Sequence, residues 1–266
     1  LMALTPIARV LTAQTVLYVD NFDNSDMDPT TGNADWHNLG IFNMRWTESG
    51  TTLKSQADAT NFGFTSLNSK QTFSMPGPGE TVTFEFDFAG ASIVNAISGN
   101  DARVYFRLVD VDGQTNRAIN FKDDFANRNI GMNGFLNDTN SNVFTEGFHD
   151  ATDGSGNQTT GGGAGIPWDF ANDGLIWAIE VTETGYSMSA GGTVVHSDTF
   201  ANAGFVDPFD NGMYPVLSYG NLGNPTATGF IEANSFTATV IPEPSAIGLS
   251  LLGGASLVLL LRRTRR

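Results

Sequence analysis

Residues 81–88 read Thr-Val-Thr-Phe-Glu-Phe-Asp-Phe, and this alternation limits what the chain can fold into more than any other segment. Val82, Phe84, Phe86 and Phe88 fall on one side of an extended backbone, with Thr81, Thr83, Glu85 and Asp87 on the other. A helix would scatter the phenylalanines around its circumference, whereas a period of two gathers them on one face. That face must be covered by another apolar layer. The same period recurs at 103–109, where Val104, Phe106 and Leu108 alternate with Arg103, Tyr105 and Arg107, and at 175–182, where Leu175, Trp177, Ile179 and Val181 point inward. Residues 186–189 and 193–197 continue the second series through the turn-like Glu183-Thr184-Gly185 and Ala190-Gly191-Gly192. Residues 213–219, 229–231 and 235–240 supply the last strands, and no apolar stripe at helical spacing is sustained before residue 246. About a dozen short strands predict an all-β, antiparallel two-sheet jelly-roll sandwich over residues 15–240.

Composition removes several function classes. Hydrophobic residues at 40% can build a core, so the chain is not disordered in spite of its acidity. A net charge of −15 repels phosphate, so the reading includes no nucleic-acid partner. With no Cys, disulfide scaffolds, thiolate metal sites and thiol nucleophiles are excluded.

The charge is unevenly placed. Arg262, Arg263, Arg265 and Arg266 crowd the last five positions, and Glu243 is the single acid beyond residue 241. Between them, residues 246–261 contain only Ala, Ile, Gly, Leu, Ser and Val. Such a run has no polar face, and as a helix of roughly 24 Å against a hydrocarbon core of about 30 Å it predicts a short C-terminal transmembrane helix. The positive-inside bias keeps the arginines in the cytoplasm and the rest of the chain outside. Ahead of the run stands Pro242-Glu243-Pro244, and two prolines around one residue predict an extended, exposed joint.

Motif, apolar helix and basic end, in that order, resemble the PEP-CTERM sorting signal. The resemblance implies export, transient anchoring in the inner membrane, processing by an exosortase-type enzyme near Pro242, Glu243 and Pro244, and sorting to the cell surface or extracellular matrix, where exopolysaccharide is a possible partner. The chain then divides into residues 1–14, a signal-peptide remnant in which Arg9 follows rather than precedes the apolar part, residues 15–240, the sandwich, and residues 241–266, the sorting signal.

Val19-Asp20-Asn21-Phe22-Asp23, the strand at 82–88, the Trp177 strand with its two glycine-marked hairpins and the closing Phe236-Thr237-Ala238-Thr239-Val240 together resemble the concanavalin A-like lectin/glucanase and laminin-G sandwiches. Glucanases of that class carry Glu-x-Asp-x-x-Glu on the catalytic strand. This chain reads Glu85-Phe86-Asp87-Phe88-Ala89-Gly90, with glycine at the last position. The expectation is therefore a non-catalytic structural or carbohydrate-associating module. A secreted glycan-acting hydrolase is the alternative, and it requires an acidic neighbour for Glu85 at hydrolase spacing.

Asp20, Asp23, Asp26 and Asp28 crowd the first loop, with further acids at Asp110 and Asp112 and at Asp150 and Asp153. Calcium takes carboxylate and carbonyl oxygens from such loops, and Asp20 and Asp23 are the candidate ligands, although Asp and Asn are also ordinary turn residues. His37, His149 and His196 are isolated. Trp168, beside the glycine-rich 150–165 stretch, is the candidate sugar-stacking platform, while Trp46 and Trp177 are expected in the core.

Overall fold

The computed structural model describes residues 14–28, 32–40, 46–56, 63–94, 102–111, 129–136, 142–145, 167–169, 175–202, 209–221 and 228–242. Residues 1–13, the 150–165 stretch, Glu243, Pro244, the apolar run at 246–261 and the four terminal arginines lie outside these. Among the described residues no helix is long and apolar enough to cross a membrane.

Fifteen strands follow in chain order among the described residues: β1 (Thr15–Asp20), β2 (Trp36–Gly40), β3 (Trp46–Ser49), β4 (Thr52–Gln56), β5 (Gly63–Ser69), β6 (Glu80–Val94), β7 (Ala102–Asp110), β8 (Asn129–Leu136), β9 (Asn142–Thr145), β10 (Pro167–Asp169), β11 (Leu175–Thr182), β12 (Gly185–Ala190), β13 (Thr193–Thr199), β14 (Met213–Asn221) and β15 (Thr228–Pro242). They form two antiparallel sheets. The eight-stranded sheet runs β13-β12-β11-β6-β15-β4-β3, with β1 also on β15, and the seven-stranded sheet runs β10-β9-β8-β7-β14-β5-β2. The expected all-β sandwich is thus what the chain forms.

The central strands explain the layering. Phe84, Phe86 and Phe88 of β6 are fully buried, as are Val104, Phe106 and Leu108 of β7. Phe86 meets Phe106 edge-on across the sandwich at 5.0 Å between centroids, and Phe236 of β15 lies 4.7 Å from Phe86. Trp177 stands edge-on to Phe88 at 5.3 Å. Each such aromatic contributes about 1.5–3 kcal/mol by leaving water, which is how the chain holds together without a disulfide.

Turn chemistry sets the β11–β12–β13 meander. Gly191 and Gly192 both have positive φ, 56° and 76°, which the tight two-residue connection requires and which only glycine adopts without strain.

Two differences from the sequence reading concern β15. The segments expected at 229–231 and 235–240 are one strand, bent by register shifts between Glu232 and Ser235 against β6; Asn234 and Ser235 read locally as a break, and the bulge absorbs them. The expected joint at 241–244 also begins later, because Ile241 and Pro242 still pair with Thr81 and Glu80. Proline is tolerated there because it ends the strand and because β1, whose first residue Thr15 pairs with Val240, does not reach it.

The seven-stranded sheet is buried on both sides. Val109, Tyr214 and Val216 form a second apolar cluster, separate from the inter-sheet core.

Candidate functional site

On β7 the residues that alternate with the core side chains form a polar set. Tyr105 and Arg107 are 2% and 1% exposed, and Asn129 of β8, opposite Val109, is fully buried. Strand pairing places them in rows across the outer face: Asn68 of β5, Val216 of β14, Arg107 of β7 and Gly131 of β8 form one row, and Ser66, Ser218, Tyr105 and Asn133 the next. The Arg107 guanidinium lies over the Tyr105 ring at 4.5 Å. Ser218 Oγ donates to Ser66 Oγ at 3.1 Å, and Ser66 Oγ donates to Asn68 Oδ1 at 2.6 Å. Gly131 makes room for the arginine: a Cβ there would come within 2.5 Å of Arg107 Cγ and 2.6 Å of the Phe106 carbonyl oxygen. Burying a guanidinium is costly unless charge and hydrogen bonding are matched around it, so this face is a fixed polar assembly.

The outer face of the eight-stranded sheet is open by comparison. Glu85 and Asp87 of β6 are half-buried, and Glu180 of β11 is exposed. Glu85 pairs with Ala178 and Thr83 with Glu180, so Glu85 and Glu180 are diagonal neighbours on one face. Diagonal neighbours of this kind have side chains roughly 7–8 Å apart at Cβ or somewhat less. Burial, and then the negative charge of Glu180, hold the Glu85 carboxyl above the usual glutamate range. Asp87 accepts a hydrogen bond from Asn234 Nδ2 at 3.3 Å. Glu85 therefore has an acidic neighbour on its own sheet face. Glu180 was not singled out from the sequence, although it is the outward residue of a recognised strand; only the β6–β11 pairing brings it beside Glu85.

The remaining candidate residues are placed as follows. Asp20 binds its own surroundings: Oδ2 accepts from Trp36 Nε1 at 2.8 Å and from the Tyr18 hydroxyl at 3.4 Å, and Oδ1 accepts from the Phe22 amide at 2.8 Å. Burial and the Asp20 and Asp35 carboxylates push the Tyr18 hydroxyl well above the usual phenol range. Asp23 is exposed on the following loop, and Asp26 Oδ1 accepts from Asn33 Nδ2 at 2.8 Å. Among the described residues no three of His, Asp or Glu are grouped to hold a metal ion. Trp36, Trp46 and Trp177 are fully buried, the last two as expected. Trp168 lies on β10, opposite Val143 of β9. His37 sits on β2 opposite Asn68, and burial holds the His196 imidazole below the usual histidine range.

No family model matches the chain, and no curated protein resembles it in sequence. Solved structures do. An endo-1,3-β-glucanase from Streptomyces sioyaensis superposes with a TM-score of 0.59 at 13% identity, covering 91% of this chain and 100% of that one. The fold is that of the glucanases. An endo-β-1,3-glucanase from Pyrococcus furiosus gives 0.57 at 14% identity over 88% and 97% of the two chains. LamA from Z. galactanivorans, held with laminaritriose and laminaritetraose, gives 0.56 at 14% identity over 85% and 98%. At these identities the likeness concerns architecture.

The likeness corrects the expectation that the sandwich is not an enzyme, since the architecture it adopts is one that endo-acting glucanases use. That expectation rested on glycine at position 90. In the structure β6 is irregular there: Phe88 pairs with Ala233 and Gly90 with Glu232, leaving Ala89 outside the ladder. Position 90 is therefore not the only place from which a second carboxylate can approach Glu85, and Glu180 does so from β11.

Proposed function

We propose that the sandwich is a glycan-acting hydrolase, with Glu85 as the proton donor to the leaving sugar oxygen and Glu180 as the carboxylate that activates water. The observation that carries this reading is the pair itself: two carboxyls on one sheet face, diagonal across β6 and β11, with Glu85 held toward its protonated form by burial and then by Glu180. Diagonal neighbours are close enough for two carboxyl groups to flank one glycosidic bond, the arrangement that glycoside hydrolysis uses. The fold supports a β-1,3-glucan as the substrate class, because that is what the solved neighbours are named for. Asp87, two residues along the same face, is held by Asn234 and is a positioning group rather than a third reactant.

The test is release of reducing ends from laminarin by the full chain, alongside Glu85→Gln, Glu180→Gln and Asp110→Asn. Loss of roughly 10²-fold or more in the first two, with Asp110→Asn unchanged, is the expected pattern. Binding of laminarin without cleavage by the unaltered chain overturns hydrolysis. Activity that survives Glu85→Gln removes this pair from the chemistry.

We further propose that residues 241–266 direct the protein through an exosortase-type pathway, with the apolar run as a temporary membrane anchor and export of the sandwich to the surface or matrix. The support is the order of Pro242-Glu243-Pro244, the uncharged run and the terminal arginines. Mass spectrometry of the exported protein should find a C-terminus near Pro242. A tail intact to Arg266 overturns the assignment.

A further inference from the structure

The outermost strands differ in how they are protected against pairing with another chain. Strand β10 is three residues long and contains Pro167 and Asp169, β3 is four residues long and carries Glu48, β2 holds His37, and β13 holds His196 and Asp198. Short length, proline and charge are the usual devices that blunt a sheet edge. β1 has no proline, and its one such device is the register shift between Val16 and Tyr18. Its sequence, Thr-Val-Leu-Tyr-Val-Asp, has no charge before its last residue, and it pairs with β15 on one side while no strand lies on its other side among the described residues.

Its exposed surface is apolar. Val16, Leu17 and Val19 are 58%, 46% and 51% exposed. Val16 pairs with Thr239 and Val19 with Thr237, so both valines stand on the outer face of the eight-stranded sheet. The register shift between Val16 and Tyr18 leaves Leu17 without a β15 partner. Leu17 and Tyr18 line a cavity of about 400 Å³ together with Phe73, Met75, Val82 and Val240.

We propose that β1 is a self-association edge, pairing antiparallel with β1 of a second copy about a two-fold axis between Leu17 and Tyr18. The sequence is complementary to itself in this register. Val16 falls opposite Val19 of the second copy, and Leu17 opposite its Tyr18, so an apolar pair and an aliphatic–aromatic pair form on each side of the axis. Asp20 falls opposite Thr15, which keeps the two carboxylates at opposite ends of the pairing in a chain of net charge −15. The eight-stranded sheet becomes continuous across the axis. A different partner strand would satisfy the backbone groups equally well, but the two-fold register, which pairs apolar side chains at its centre and sets the two Asp20 carboxylates at its opposite ends, is what a second copy supplies.

Because the chain has no Cys, the contact can be trapped cleanly. The full chain in mild detergent, carrying Val16→Cys and Val19→Cys together, should oxidise to a disulfide-linked dimer, since directly opposed Cβ atoms in an antiparallel pair lie about 4.5–5.5 Å apart. Val194→Cys, a valine 59% exposed on the far edge of the same sheet, is the control and should remain single. Sedimentation of the unaltered chain should give a twofold larger protein mass than the Val16→Lys, Val19→Lys variant, which should sediment at 28.4 kDa. A monomeric unaltered chain at roughly 100 µM, well above the micromolar dissociation constants of specific pairing, overturns the proposal. Equal cross-linking by Val194→Cys does the same.

Discussion

Arg107 and Glu85 occupy equivalent places: each stands on the outer side of a central strand, backed by a phenylalanine, and the two phenylalanines, Phe106 and Phe86, meet edge-on inside the sandwich. Yet Arg107 is 1% exposed, stacked on Tyr105 and seated over Gly131, whereas Glu85 is half-buried beside an exposed Glu180. Solvent reaches the second arrangement. The first is a closed polar layer whose hydrogen bonds and packing hold the seven-stranded sheet in shape. Residue type alone does not distinguish them, since both strands alternate apolar with charged residues; what differs is whether anything lies against the charged side.

The sharpest way to break this contrast is to remove the buried cation. Arg107→Ala should lower stability by about 3–5 kcal/mol, the range for leaving a buried polar arrangement without one of its partners, as read from urea denaturation. A loss below about 1 kcal/mol would mean that the outer face of the seven-stranded sheet is as open as the other. Gly131→Ala comes next. The added Cβ would lie 2.5 Å from Arg107 Cγ and 2.6 Å from the backbone oxygen of Phe106, so the strand or the arginine must shift, at about 1–3 kcal/mol. If Arg107→Ala is made first, the Cγ clash disappears while the backbone clash remains, and the second substitution should then cost less.

These two sites also show how far the sequence could be read. Strands β6, β7 and β11 were legible because each alternates strictly, and β12 and β13 because glycines mark their turns. Strand β8 was not: Asn-Ile-Gly-Met-Asn-Gly-Phe-Leu contains the residues that ordinarily signal turns, and what makes it a strand is the ladder of eight pairs along β7. Strand β5, Gly-Phe-Thr-Ser-Leu-Asn-Ser, is similarly polar because its Ser66 and Asn68 join the buried network rather than water. Among the site residues, Glu85 and Asp87 were visible as outward carboxylates, but their partner was not. Glu180 is distant in sequence, and which strand lies beside β6 is a property of the topology. Arg107 was legible as outward-facing but not as buried, because alternation reports the side of a strand and not what covers it.

Glu85 offers a smaller test of the open face through pH. A carboxyl held more tightly protonated in the folded state supports folding below the ordinary glutamate range, near pH 4.3, and that support is lost as pH rises through the raised value. Glu85→Gln should therefore match the unaltered protein in acid and become the more stable of the two toward neutral pH. The gain should stay below about 1 kcal/mol, as befits a charge pair still in contact with water. Thermal melts from pH 3 to 8 would show the gap opening upward; a gap that opens toward acid would reverse the direction of the shift.

The smallest effect belongs to the ion pair at the far side of the same sheet. Lys54 Nζ lies 3.1 Å from Glu232 Oε1, with side chains 31% and 27% exposed, and 3.7 Å above the Phe230 ring. Two favourable contacts converge on one ammonium, but both face solvent. Lys54→Ala should cost only about 0.5–1 kcal/mol, most of it from the aromatic contact, which salt screens less than the ion pair. Raising salt to about 1 M, where screening acts over roughly 3 Å, should shrink the difference without removing it. The contrast with Arg107 is then quantitative: a cation over an aromatic ring in both cases, worth several-fold more where the sheet face is covered. A Lys54→Ala loss matching that of Arg107→Ala would show that the ring contact, rather than burial, sets the scale.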